Sequence, residues 1–518
     1  MSESVGIAFE NVFQFQVLLI ILISAVYGIF MGAVPGLTAT MAVALLVPMT
    51  FFLDDVTALA AIVTLSACAI FAGDIPTTLV RIPGTPSSAA FVDDAYALRS
   101  RGRHNIALGT ALLFSAVGGL CGALILMTFA PQLAKIAVQF TSYEYFWLTL
   151  LGLSCAAVVS SGSMLKGMLA LVIGLLLSMV GLSEVHSVPR FTFGYDELIK
   201  GIDFIPAMIG LFGMSEVLRG VLQRGREQGA AISLGEETHG TGKSLSRILW
   251  APLRETLLAA LPDLWRNRLS VVRSSVVGFL VGMLPGAGAD IGAWISYAVS
   301  KRMSKTPERY GKGSLEGIRD AASAKNSALA GAWVPALVFG IPGDSVTAIV
   351  IGVLLMKNVM PGPQIFTEPN QSILVYGIFI TFILANLILI PVGFVAIRVG
   401  GLLVQVPRRV LLPIILLFCV VGSYSINGSY FDVWVMLAMG ILGLVLEIYS
   451  VPLGPVVLGI ILGGRLEHSF IQCLAKSDSY ADFFARPVAA VLGTLLIVLW
   501  LYPLVMWLWR RRHKTFER

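Results

Sequence analysis

The sequence predicts an all-α integral membrane protein: a polytopic helical bundle with two inverted-topology repeats, each carrying Pro-Gly-broken helices or re-entrant hairpins. Three observations predict it. Of the 518 residues, 57% are hydrophobic and only 13% charged, against about 25% charged in a typical soluble domain. Apolar stretches long enough to cross a bilayer, about 20 residues, recur along the chain, as at 14–34, 105–130, 372–398 and 488–509. Short motifs of the first half return in the same order in the second.

The low charge excludes a soluble fold, which could not cover its surface with so few polar groups. At about 20 residues per span the chain has room for roughly fifteen crossings. The net charge of +6 is not a nucleic-acid signal, because the basic residues lie in loops at membrane edges. The five cysteines (Cys68, Cys121, Cys155, Cys419, Cys473) are scattered without metal spacing and read as small buried hydrophobes. The first apolar stretch follows Glu3 and Glu10 and lacks a basic start, so it reads as a retained helix rather than a cleaved signal.

Basic residues cluster in five places: Arg99–His104, the polar stretch 223–268, Lys301–Arg319, Arg398–Arg409 and Arg510–Lys514. The positive-inside rule sets all five in the cytoplasm. The N-terminus then falls on the periplasmic side and the C-terminus inside.

The motifs define the repeat. Gly28, Gly32, Pro35 and Gly36 match Gly278, Gly282, Pro285 and Gly286. Pro76 and Ile82-Pro83-Gly84 match Pro335 and Ile341-Pro342-Gly343 at identical internal spacing. This divides the chain into a first repeat 1–222, a basic linker 223–268 with an interfacial amphipathic helix over 245–268, a second repeat 269–487, and a final helix with a basic tail, 488–518. Asp54-Asp55 follows the first Pro-Gly motif and its helix, whereas the Lys301–Arg319 cluster follows the second. The copies are therefore expected to be inverted in the membrane, as in many secondary transporters.

Such transporters hold substrate near the midplane, where helices are interrupted. Here four interruptions fall at matched positions, Gly36, Gly84, Gly286 and Gly343, each preceded by proline and followed by small or hydroxyl residues. A helix start offers unpaired N–H groups and partial positive charge, so a carboxylate can be held without a full counter-charge. One Pro-Gly pair alone reads as an ordinary kink; four at matched positions read as a site. Freed carbonyls can hold sodium. Of the ionisable residues within apolar stretches, Asp74 and Arg81 share a helix face, and Lys325 and Asp344 flank the fourth break. Each set reads either as a buried ion pair or as a substrate contact. Asp290 has no evident partner. Asp74, Asp290 and Asp344 are candidates for the coupling ion, sodium or a proton. No nucleophile–base set, nucleotide fingerprint or metal cluster is present, so no enzyme, cofactor or nucleic-acid role is expected.

At these motifs the sequence resembles the large membrane subunit of the tripartite tricarboxylate transporters. The matching stretches are GAVPGLTATMAVALLVP (32–48), IPGTPSSAA (82–90), GMLPGAGADIGAWISY (282–297), GKGSLEGI (311–318), VPALVFGIPG (334–343) and PGP (361–363). The resemblance implies a permease of the bacterial inner membrane, driven by an ion gradient. It would work with a small membrane subunit and a periplasmic substrate-binding protein to take up a small organic carboxylate. By position it implies that Thr38, Thr40, Thr85, Ser87, Ser88 and Asn326 line the site, with Gly36, Gly84, Gly286 and Gly343 supplying backbone. The chain departs from the family pattern at Asp74, Arg81, Ala322, Lys325 and Asp344. The two added cations suit an anion of different shape, or pair with the two added acids. Arg81→Ala is expected to impair uptake far more than Lys166→Ala. A channel or exporter of the same architecture, an intramembrane enzyme and a membrane scaffold are the alternatives.

Overall fold

The structure, a computed structural model, describes residues 2–159, 163–183, 187–223, 262–406, 408–476 and 479–516. Most of the basic linker, including the interfacial helix expected from 245 up to residue 261, lies outside the described residues. So does His186.

The described residues are almost all helical, with one two-stranded antiparallel ribbon pairing Gly181–Leu182 with Pro189–Arg190. Among the described residues, eight helices are long and apolar enough to cross a bilayer, fewer than length alone allows. Two of them, His104–Ala137 and Pro369–Val404, run 34 and 36 residues, well beyond the roughly 20 that one span needs. Shorter apolar helices are Ala39–Thr50, Met164–Ser178 and Ser345–Met356.

The chain forms two compact units that cut across the two sequence halves, each drawing on both. One contains Lys135–Ile202 with Ser450–Arg518. There helices Ser142–Val159, Met164–Ser178 and Leu453–Lys476 pack together, and Pro487–Phe516 packs on the first. His468 lies on helix Leu453–Lys476, not in a loop as its position between apolar stretches suggests, and bonds Gln472.

The other unit, Met1–Ala134 with Asp203–Tyr449, holds all four Pro-Gly breaks. Here the same construction occurs twice. A lead helix, Phe15–Ala33 or Arg268–Gly282, runs into a Pro-Gly break. A second helix follows, Ala39–Thr50 or Gly288–Met303. A spine follows that, Asp55–Val80 or Leu315–Phe339, and ends at an Ile-Pro-Gly turn. The spines are buried on all sides, which explains why they show no polar face.

Glycine positions explain why each lead helix packs on its own spine. A Cβ on Gly28 would lie 2.5 Å from the Leu65 carbonyl oxygen, and on Gly32 2.2 Å from that of Ala69. In the second copy, Gly278 and Gly282 meet the carbonyls of Ala324 and Ala328, each at 2.2 Å. Small residues at four-residue spacing let the backbones touch, the usual basis of helix association where lipid supplies no hydrophobic drive.

The spine ends match atom for atom. Arg81 caps the first in the left-handed region (φ 58°) and Gly340 caps the second (φ 64°). Beyond them the Thr85 N–H donates to Ser88 Oγ (3.2 Å), which donates to the Thr85 carbonyl (2.8 Å). The Asp344 N–H likewise donates to Thr347 Oγ1 (2.9 Å), which lies 3.0 Å from the Asp344 carbonyl. This turn chemistry restarts the chain after each Ile-Pro-Gly, as the 3-10 turn Ser88–Phe91 and the helix Ser345–Met356.

Candidate functional site

Three of the four breaks meet. The Gly286 N–H donates to the Gly343 carbonyl at 2.8 Å, joining the third and fourth. Gly288, at φ 53°, brings its backbone against the Asp344 side chain, where a Cβ would lie 2.7 Å from Asp344 Cβ. Asp290 stands in the first turn of helix Gly288–Met303 with Ser87, from the second break, as its hydrogen-bond neighbour. The first break joins through its following helix, since Ala39–Thr50 packs against Ser345–Met356. These contacts join segments up to about three hundred residues apart in the sequence.

Its chemistry is that of helix starts. Thr38 caps Ala39–Thr50 by accepting from Met41 N at 3.2 Å and is itself exposed; Thr40 is half-buried. Asp344 caps Ser345–Met356 in a reciprocal box with Thr347, accepting from Thr347 N at 2.8 Å. Thr85, Ser87 and Ser88 are buried, and Thr85 Oγ1 lies 3.0 Å from Ser87 Oγ. Thr77 Oγ1 joins them, 2.8 Å from Ser88 Oγ. Gly84 is glycine of necessity: a Cβ there would sit 2.6 Å from Gly73 Cα. Gly36 and Gly286 turn at φ 95° and 84°, where L side chains are strained.

The two ion pairs suggested by sequence proximity do not form. Asp74 pairs with Lys325, whose ammonium lies 2.5 Å from both carboxylate oxygens and 3.1 Å from the Ile70 carbonyl. Neither side chain is exposed at all. This bond joins the two spines, and with it the three donors of Lys325 are spent. Arg81 instead pairs with Asp93 at 2.8 Å in the open, the two side chains 60% and 55% exposed, and leans over the Tyr96 ring. The seven-residue spacing from Asp74 to Arg81 does not carry a regular helix across both, because the helix ends at Val80 and Arg81 turns left-handed. Asp344 is occupied as a cap. Asn326 follows Lys325 on the spine; it is buried, and both atoms of its amide lack a protein partner.

Sequence reasoning missed a second polar cluster, at the start of the second spine. Asp94 is buried and accepts from the N–H groups of Gly313 and Ser314 (2.8 and 2.7 Å) and from the Tyr297 hydroxyl (2.6 Å). Arg101 donates to the Lys312 carbonyl at 2.9 Å. Nearby, Asp320 is buried and accepts from Arg273 (2.7 Å), Arg319 (2.9 Å), Ser300 (2.6 Å) and Ser270 (2.8 Å). Burial pushes the Tyr310 phenol up to about 12, so it stays neutral and can donate to Ser300 at 2.7 Å. Arg319 was counted among loop charges; it is buried on the spine and reaches Asp263 at 3.1 Å. The only available signal was the presence of acidic residues among the basic ones, which charge counting ignores.

Broken helices that meet in a polytopic all-α membrane protein, with caps and hydroxyls at their ends, are the construction of membrane transporters of the broken-helix kind. The family model of the tripartite tricarboxylate transporter TctA family matches residues 18–458, and the chain belongs to that family. It is 32% identical over 498 residues, 95% of this chain and 94% of the other, to an uncharacterised 52.8 kDa protein of the TAR-I ttuC' 3' region of Agrobacterium vitis. It is also 35% identical over 230 residues, 44% of this chain and 94% of the other, to an uncharacterised protein of the TAR-II ttuC' 3' region of the same organism. No solved structure matches. The family is one of transporter membrane subunits within tripartite systems.

Proposed function

We propose that this chain is the permease subunit of a binding-protein-dependent tripartite system of the bacterial inner membrane, taking up a small organic carboxylate on an ion gradient. The observation that carries the reading is the meeting of the breaks at Gly84, Gly286 and Gly343. Helix starts that converge present N–H groups and partial positive charge to one space, which suits a carboxylate and lets it leave again. Gly36, Thr38, Thr40, Thr85, Ser87 and Ser88 supply the remaining donors, and Asn326 offers an amide with no other partner. Asp290 and Asp344, brought together at two helix starts, are the acids assigned to a coupling cation, sodium or a proton, which Asp344 would hold beside its capping bonds to Thr347. Arg81 acts at the rim, where its guanidinium can exchange Asp93 for an incoming anion. Lys325 and Asp74 act through their mutual bond.

The duplicated construction supports two copies of one repeat, and the swap of acidic and basic loops between them supports their inversion in the membrane. The orientation has support of its own. Arg101 and Lys312, from two basic clusters, meet at one end. Lys357 meets Leu53 and Asp55, from the acidic loop. The N-terminus is then periplasmic and the C-terminus cytoplasmic. Proteoliposomes holding this chain with its small partner subunit and binding protein test the function against labelled di- and tricarboxylates. Saturable uptake that needs the binding protein and one imposed gradient is expected. Uptake of none of them by an intact complex overturns the carboxylate assignment, and flux that does not saturate favours a channel.

A further inference from the structure

The buried pair between the spines has the form of a filled cation site. The Lys325 ammonium is surrounded by three oxygens, both of Asp74 and the carbonyl of Ile70, at 2.5 to 3.1 Å. The Phe91 ring covers it with a centroid distance of 5.6 Å, a second cation-attracting group. The site lies at an interrupted helix: the first spine breaks at Gly73, between Asp55–Ala72 and Asp74–Val80. Main-chain carbonyls at a helix break are ligands with which transporters hold sodium, and the Asp74 carboxylate adds a full negative charge beside one. Here a tethered ammonium stands among them.

We propose that the Lys325 side chain is a built-in cation. It occupies a monovalent-cation site formed by Asp74, Ile70 and Phe91, and makes that site independent of free sodium. The charge balance fits. Asp74 and Lys325 cancel, and Asp290 is the further charged group that acts on Lys325. Packed against the second spine, the second helix brings Asp290 and the helix after the fourth break brings Asp344. The turn Ser88–Phe91 and the first spine around Ile70 bring no other charge. An ordinary structural ion pair needs only the carboxylate; the carbonyl and the ring are what a cation site adds. The cation-site assignment stands on geometry alone. Its consequence for coupling rests on the proposed ion-driven uptake: a free cation would be left to Asp290 and Asp344.

The test removes the tether and keeps the ligands. Full-length Lys325→Ala and Lys325→Ser are made, each alone and with Asp74→Asn, and purified in sodium chloride or choline chloride. Serine stands at the matching place in the first spine, Ser66. The thermal midpoint of each single variant is expected to rise by several degrees with sodium over choline, because an ion that binds only the folded state stabilises it. The wild type is expected to show no such response at this site, and the double variants none beyond the wild type. Sodium is likewise expected to restore uptake to the single variants only. A single variant that ignores sodium, one that cannot be recovered folded even in sodium, or a double variant that responds as strongly overturns the proposal. The thermal readout needs no substrate. A sodium response without uptake of any carboxylate would therefore sink the proposed function and leave the cation site standing.

Discussion

Arg81 holds a left-handed backbone that its matching residue, Gly340, adopts as glycine. That conformation costs a side-chain-bearing residue about 1–2 kcal/mol, and the exposed bond to Asp93 returns about 0–1 kcal/mol. Arg81→Gly should therefore leave thermal stability unchanged or raise it by up to about 1 kcal/mol. If the guanidinium serves the substrate, uptake falls in the same variant far more than in Lys166→Ala at equal membrane levels. A loss of stability would mean that the Asp93 pair holds the turn. Asn326 poses the opposite case. A buried amide without partners costs free energy, so Asn326→Leu should melt no lower than wild type while losing uptake. A drop in midpoint with uptake intact would make Asn326 a packing residue. The sequence revealed which residue types gather at the breaks, and it marked Asp74 and Lys325 as out of place in apolar helices. It did not reveal their pairing, because the partners are 251 residues apart and nearness along the chain suggested other partners for both.

At the scale of elements, the glycine contacts decide how closely lead and spine approach. Gly278→Ala places a methyl 2.2 Å from the Ala324 carbonyl, and main chain cannot yield as a side-chain tip can. A loss of about 1–3 kcal/mol is expected, read as a lower midpoint. Gly401→Ala, on a helix with open space at that position, should change little. An equal loss in both variants would mean that the Ala324 contact is not its cause, since alanine in place of glycine favours a helix. The small-residue spacing that produces these contacts is visible in the sequence, and so are the Pro-Gly ends. The number of crossings is not, because hydropathy marks apolar length without showing where a long helix overshoots one span or where a broken one falls short. The Asp94 and Asp320 clusters were hidden for a different reason. They are held by N–H groups and hydroxyls from four or more segments, a set that only folding brings together.

For the whole molecule, the twice-used construction of lead, break, spine and turn leaves open which way each copy faces, and the charges supply a prediction. The first copy's junction between second helix and spine carries Asp54-Asp55; the loop of the second carries Lys305, Arg309 and Lys312. Inverted copies put these loops on opposite faces, whereas parallel copies put them on the same one. Phe52 is 76% exposed and Lys305 is exposed, so a cysteine at either can be labelled. Phe52→Cys should react with a membrane-impermeant maleimide in intact cells. Lys305→Cys should react only once the membrane is opened. The native cysteines are a small background, since Cys68, Cys419 and Cys473 are buried and Cys121 and Cys155 half-buried. Labelling of both sites from outside, or of neither, would give the copies a common direction and remove the inverted repeat. Labelling of Lys305→Cys alone would keep the inversion but turn the whole chain over. Short loops rich in Lys and Arg resist translocation, so the outcome expected is the first, with the spine starts on opposite sides and their broken ends meeting inside.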